Sequence, residues 1–281
     1  MIDYRIMSND ELVGTLFTNE DRLPREAVDE FLWRGRDLVP RLASIVSDSF
    51  YWNEYRPRWW AVVHAVYILG AIGTPDTVLP LLKSLRYADA CENNWVTEEL
   101  PSIFGKIGSP AIEGLRKIAG DVTSGWLGRS VAFESLAAIT IPHPDFGGEI
   151  FRFIHACFCS ESEDRRLRQS AGHILLDFLR TECQEDLVAF GKDEKRRRDE
   201  DPSYRFAFTD DEVEKEFRGK TMSLDPYTRD WLCFYDREEI EDRQKQWEEE
   251  IKRTREESDE LCPFAADRHQ KKCCLGRLGA D

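Results

Sequence analysis

The stretch "WAVVHAVYILGAIGTPDTVLPLLKSL", Trp60 to Leu85, decides the fold. Its first half belongs to an apolar run too short for a bilayer, carrying His64 and closing on Gly70 and Gly73, which reads as a buried helix. A second stretch, "WVTEELPSIFGKIGSPAIEGLRKIA" from Trp95 to Ala119, repeats it. Trp60 and Trp95, Gly70 and Gly105, Gly73 and Gly108, and Pro75 and Pro110 are each 35 residues apart. The break in each copy has a local cause: Gly73 and Gly108 suit the left-handed conformation that ends a helix, Thr74 and Ser109 suit a cap, and Pro75 and Pro110 suit a first turn. Each copy is therefore a helix hairpin.

Working outward, "LGRSVAFESLAAITIPHPDFGGEIFRFIHA" (Leu127 to Ala156) keeps the order of apolar helix, small-residue break with proline, and second apolar helix. "LRQSAGHILLDFLRTECQEDLVAFGK" (Leu167 to Lys192) is a fourth copy, and "PREAVDEFLWRGRDLVPRLASIV" (Pro24 to Val46) offers two more amphipathic helices. A unit of two helices recurring about every 30 to 45 residues cannot bury its apolar face alone, so the expected fold class is all-α, an α-solenoid of HEAT-like hairpins. Large aromatics and histidines at helical spacing on apolar faces are expected in the core, which assigns Trp60, Trp95, His64 and His173 to packing.

The 281 residues are 41% hydrophobic, enough for a sizeable core, and 54 acids against 39 bases leave a net charge of −15. That balance disfavours a surface built to hold a phosphate backbone and favours a protein partner. No apolar leader opens the chain and no run spans a membrane, so a cytoplasmic, membrane-free protein is expected. Cys91, Cys157, Cys159, Cys183 and Cys233 lie in helical or apolar surroundings rather than in a disulfide framework, which fits a reducing compartment. "KDEKRRRDEDP" (Lys192 to Pro202) reads as a solvated loop whose acids dilute its basic run. "DREEIEDRQKQWEEEIKRTREESDE" (Asp236 to Glu260) reads as an exposed charged helix or a disordered arm, with a narrow apolar stripe of Ile240, Trp247 and Ile251. The chain thus divides into a repeat domain over 1–220, a charged helical arm or linker over 221–260 and a short tail over 261–281.

Catalytic signatures are thin. No phosphate-cradling glycine loop, nucleophile elbow or zincin helix occurs, and no His-Glu step of the kind used by helical-repeat hydroxylases. His155 with Cys157 or Cys159 is close in sequence without an expected facing geometry. A non-enzymatic chain is expected.

The two 35-residue copies, followed by "GWLGRSVAFESLAAI", "HILLDFLRTECQEDLVAFGKDEK" and "FTDDEVEKEF", resemble an uncharacterised bacterial HEAT-like family, number eleven eighty-six among the domains of unknown function. The likeness covers most of residues 25 to 220 and implies a repeat scaffold with no assigned catalytic residues. Members often end in a SEC-C motif, the small zinc-binding tail also found on the translocation motor SecA, where it supports contacts with a chaperone and the ribosome. The tail "CPFAADRHQKKCCLG", Cys262 to Gly276, resembles that motif. Cys262 matches the first ligand, and Cys273 and Cys274 the last two, while Phe264 stands at the second. His269 precedes Cys273 by four residues, one helical turn, and is the candidate fourth ligand. Two readings stand: a zinc site of Cys262, His269, Cys273 and Cys274, or a decayed motif with free thiols. The functional expectation is an interaction scaffold whose tail docks a second partner. The alternative is a zinc-assisted nucleic-acid or ribosome-associated adaptor, kept open by Arg268, Lys271, Lys272 and Arg277.

Overall fold

In the computed structural model of this chain, residues 2–52 and 58–260 are described, with side chains described as far as residue 254. The chain divides into two compact units, Met1–Cys233 and Phe234–Asp281. Every regular element among the described residues is a helix, so the all-α expectation holds. The first unit contains α1 (Asn9–Thr18), α2 (Arg25–Arg34), α3 (Val39–Ser47), α4 (Ser49–Trp52), α5 (Trp59–Ile72), α6 (Pro75–Ala90), α7 (Asn94–Thr97), α8 (Leu100–Ile107), α9 (Ile112–Ala119), α10 (Trp126–Ile139), α11 (Gly147–Cys159), α12 (Arg165–Asp177), α13 (Gln184–Glu200) and α14 (Asp210–Gly219). The second unit contains α15 (Arg237–Glu260).

The helix pairs fall where the repeats place them: α5 with α6, α8 with α9, α10 with α11, and α12 with α13. The first helix of each pair packs on the first helix of the next, α5 on α8, α8 on α10 and α10 on α12, while α6 packs on α9. Glycine sets the separation in this row. A Cβ on Gly70 would lie 2.7 Å from Ile103 Cγ2, and one on Gly105 would lie 3.2 Å from Ala138 Cβ. Ile103 and Ala138 are themselves 35 residues apart, so the same contact recurs one unit later. Position in the row explains the apolar patterns. Residues Trp60 to Gly70 of α5 are buried on all sides, whereas α9 buries only Leu115, Ile118 and Ala119 beneath a charged outer face.

Polar contacts tie consecutive pairs together. Lys106 Nζ donates to Ala71 O at 3.1 Å, and Arg86 pairs with Asp121 at 3.2 Å. Arg129 is the most enclosed of these cations, its side chain 6% exposed. It donates through Nη1 and Nη2 to the two carboxylate oxygens of Glu163 at 2.7 and 2.8 Å and through Nε to Ala119 O at 2.8 Å. A forked, low-dielectric pair of this kind is strong only while both partners remain, so it fixes the approach to α12 at the cost of tolerating no loss of either group.

The turns depart from expectation in detail. Gly73 is left-handed at φ 62, ψ 23, and its N–H closes α5 on Leu69 O at 3.0 Å. Gly108 also has a positive φ of 77, but with ψ −145 it lies in a region that only glycine enters readily. The Thr74 side chain does not cap: its carbonyl takes the Thr77 amide at 2.9 Å, and Oγ1 is buried with no hydrogen-bond partner among the described residues. Ser109 also fails to cap, because it is already inside the 3-10 turn Ser109–Ala111 that opens the second helix.

His64 is fully buried with Nε2 2.6 Å from Glu20 O, as a core histidine should be. Trp60 is buried and its ring lies 5.5 Å from that of half-buried Trp95, so both pack rather than forming an open ladder. His173 is a correction: it is exposed on the outer side of α12, edge-on to Phe208, while Ile174 and Leu175 face inward. The basic run is a second correction. It is not a loop but the end of α13, where Arg196 pairs with Asp193 and Glu200, Arg197 with Asp193, and Lys195 with Asp211. Intrahelical spacing of three and four residues brings acid and base together, which stabilises the helix through the run.

Residues 221–233 belong to the first unit. In the second, residues 237–260 form the helix α15, with Arg243 lying over the Phe234 ring at 3.8 Å and donating to Phe234 O at 3.1 Å. Ile240 and Trp247 are half-buried, and Ile251 is exposed.

Gly108 and Gly14 make a contrast. A Cβ at Gly108 would meet His143 Nε2 at 2.6 Å on top of the φ strain, whereas at Gly14, inside α1, nothing lies within 4 Å. Gly108→Val is expected to destabilise by about 2 kcal/mol or more. Gly14→Ala is expected to stabilise by about 0.5 to 1 kcal/mol, both read from urea unfolding midpoints.

Candidate functional site

The face made by α5, α8, α10 and α12 is covered by the chain itself. After α14, residues 223–232 cross these helices in reverse order. Ser223 N–H donates to Asp177 O at 3.0 Å, and Tyr227 Oη donates to Asp177 Oδ2 at 2.8 Å while its ring meets Phe178 at the end of α12. The 3-10 turn Asp225–Tyr227 packs on α10 and α8. Arg229 N–H donates to Ser102 Oγ on α8 at 2.9 Å, and its guanidinium reaches Glu98 at 3.2 Å and Glu99 at 3.4 Å. Trp231 Nε1 donates to Tyr67 O on α5 at 3.1 Å beneath the Lys106 ammonium, and Arg25 of α2 donates to Leu232 O at 3.0 Å. Tyr227 and Trp231 are buried. This strap uses alternate residues, Tyr227, Arg229 and Trp231, as its anchors.

Beneath the strap the helix face is acidic. Glu134 of α10 accepts from Ser130 Oγ at 2.9 Å, and Ser130 in turn makes a short hydrogen bond with Ser170 of α12. Desolvation, with the negative Asp177 nearby, pushes the Glu134 carboxyl up to about 7. Burial raises Asp177 to about 6 despite the hydrogen bond from Tyr227. Burial also raises Glu99, whose Oε2 finds no hydrogen-bond partner among the described residues. The strap supplies the cation of Arg229 to this acidic row.

A separate cluster joins α11 to α13. His155 and Cys159, four residues apart at the end of α11, point the same way, with Cys159 Sγ 3.2 Å from His155 Nε2. Asp186, in the first turn of α13, places Oδ2 2.8 Å from the same Nε2 and 3.9 Å from the sulfur. The facing geometry not expected from the sequence is therefore present for His155 and Cys159, because one helical turn stacks residues i and i+4. Cys157, two residues earlier, points inward, and burial pushes its thiol up to about 11. The arrangement differs from a nucleophile–base–orienter relay, which uses both imidazole nitrogens; here thiol and carboxylate meet a single one. Burial and the Asp186 charge also raise the Cys159 thiol, the direction opposite to activation. Cys159 and Asp186 open onto a cleft of about 590 Å³ lined further by Phe158, Arg165, Phe190 and Asp193.

Cys262, His269, Cys273 and Cys274, the candidate zinc ligands of the tail, lie outside the described residues. Among the described residues Cys157, Cys159 and Cys183 are in no disulfide. The His-x-x-x-Cys step was readable in the sequence. Asp186, 31 residues beyond His155, had no local signal, nor did the strap, whose anchors meet partners 50 to 164 residues away. No helix among the described residues is long and apolar enough to cross a membrane. No protein-family model, curated protein or solved structure gives a significant match to the chain.

Asp177 and Glu134 fix a pH dependence. Their folded pKa values of about 6 and about 7 exceed ordinary carboxylate values, so the folded state holds protons that the unfolded chain has released, and this contribution to stability is lost as pH rises through 6 and 7. Glu134→Gln is expected to reduce the fall in unfolding free energy between pH 5 and pH 8 by roughly 2 kcal/mol, measured by urea unfolding at both pH values.

Proposed function

We propose that this chain is a non-catalytic protein-interaction scaffold of the cytoplasm, built as a HEAT-like array of helix hairpins, and that the face formed by α5, α8, α10 and α12 binds a peptide segment. The observation that carries this reading is the strap: a stretch of short 3-10 turns and loop crosses α12, α10, α8 and α5 and satisfies surface carbonyls, a hydroxyl and carboxylates on them. The recurring helix-on-helix packing at a 35-residue step supports the array, since each pair contacts the next along a line. A partner suited to this face carries aromatic residues flanking an arginine at alternate positions, because the face offers apolar slots for rings around Glu98 and Glu99. The tail with Cys262, His269, Cys273 and Cys274 is the second docking element in this proposal, and its support comes from sequence alone.

The nucleic-acid reading has less support. The net charge is −15, and the basic run of α13 is internally neutralised by Asp193, Glu200 and Asp211. No mobility shift of random duplex DNA is expected at low micromolar protein and near-physiological salt, and a salt-dependent shift would reverse this assignment.

The direct test opens the face. In a full-length variant with residues 223–232 replaced by a glycine-serine segment of equal length, a fluorescent peptide of residues 222–233 is expected to bind saturably. The wild-type chain should bind it at least about tenfold more weakly, because a tethered segment competes at millimolar effective concentration. Trp231→Ala, which keeps the backbone, should show an intermediate effect. Absence of peptide binding by both variants, with native helical circular dichroism retained, would count against this face as a peptide site.

A further inference from the structure

The cluster of His155, Cys159 and Asp186 is unused by the peptide-binding face, and its nitrogen, sulfur and carboxylate oxygen all lie within 4.8 Å of one another. The imidazole meets Asp186 Oδ2 at 2.8 Å and the sulfur at 3.2 Å, and the thiol donates toward the same carboxylate oxygen at 3.9 Å. A cation between the three atoms would take the place of these proton-mediated contacts. A tetrahedral zinc bound by nitrogen, sulfur and oxygen needs ligand–ligand separations of about 3.4 to 3.6 Å. The three observed separations of 2.8, 3.2 and 3.9 Å bracket that range, and side-chain rotations that move each atom by a few tenths of an ångström would meet it.

We propose that His155 Nε2, Cys159 Sγ and Asp186 Oδ2 form a three-ligand site for a borderline divalent cation, zinc above all, with a fourth position open to solvent. The ligand set selects the metal: one imidazole, one thiolate and one carboxylate suit zinc, whereas magnesium and calcium take oxygen shells. Both anionic ligands together offset the 2+ charge. Placement also favours a cation, because His155 and Cys159 occupy the last turn of α11, where unpaired carbonyls make the helix end negative. Access is open, since Cys159 is exposed and the Asp186 side chain is 53% exposed. Cys159 and Asp186 line the 590 Å³ cleft, so the fourth position is reached from there by water or by a donor side chain of a bound protein. Bound metal would cross-link the end of one hairpin to the second helix of the next.

The tail thiols are a competing site, so the test separates them. The full chain carrying Cys262→Ser, Cys273→Ser and Cys274→Ser is stripped of metal and titrated with Co2+, then with Zn2+ as competitor. One Co2+ per chain is expected, with a thiolate-to-metal charge-transfer band that Zn2+ abolishes. In the same background Cys159→Ser should remove that band, and Cys159→Ser and Asp186→Asn should each weaken binding at least about tenfold while the metal-free proteins melt at the same temperature. Absence of saturable binding in the tail-substituted chain would overturn the proposal. So would affinity that both Cys159→Ser and Asp186→Asn leave unchanged.

Discussion

The first unit depends on one repeated contact: the backbone of a helix at a glycine pressed against a side chain of the next helix in the row. At Gly70 the neighbour is Ile103, and at Gly105 it is Ala138. A side chain at Gly70 would clash with the Ile103 side chain, and one at Gly105 would press Ala138 by a few tenths of an ångström, in an interior that is close-packed. Because contact and sequence share the 35-residue step, the row propagates from one hairpin to the next without long-range instruction. Arg129 then fixes the following step, holding Ala119 O on one side and Glu163 on the other.

This row leaves one face on which the first helices present carbonyls, Ser102 and a set of carboxylates. Without the strap, Glu134 and Asp177 would lie near one another and Glu99 beside Glu98, without the Arg229 cation. The 223–232 strap answers the chemistry with Arg229 at Glu98 and Glu99 and with the phenol of Tyr227 on Asp177. Under the proposed peptide-binding function, the same contacts that stabilise the strap define what a competing segment must bring, because a tethered strap would compete for the same anchors.

The cluster at the α11–α13 junction follows a different logic. Its sulfur is less enclosed than that of Cys157 and is held beside imidazole and carboxylate at an accessible edge. Burial and the Asp186 charge outweigh the nearby Arg168 and raise its thiol. The cluster shares no residue with the strap face, so the two proposals are tested separately.

By itself the sequence determined the helical class, the 35-residue step and the breaks at Gly73 and Gly108, because apolar periodicity, Gly73, Gly108, Pro75 and Pro110 act on neighbouring residues, although the segment from Trp95 divides into α7 and α8. It also marked His64 and Trp60 as core. Where several local options compete, it was less decisive: Thr74 and Ser109 look like caps but are pre-empted by backbone hydrogen bonds, His173 shares a helix with buried residues yet faces out, and the run from Lys195 to Arg198 looks loop-like until its ion pairs are seen. Only the tertiary structure decided that Asp186 joins His155 and Cys159, and that Tyr227, Arg229 and Trp231 lie on α12, α8 and α5. Those partners are distant in sequence, and no local propensity encodes which residues a stack of helices will bring face to face.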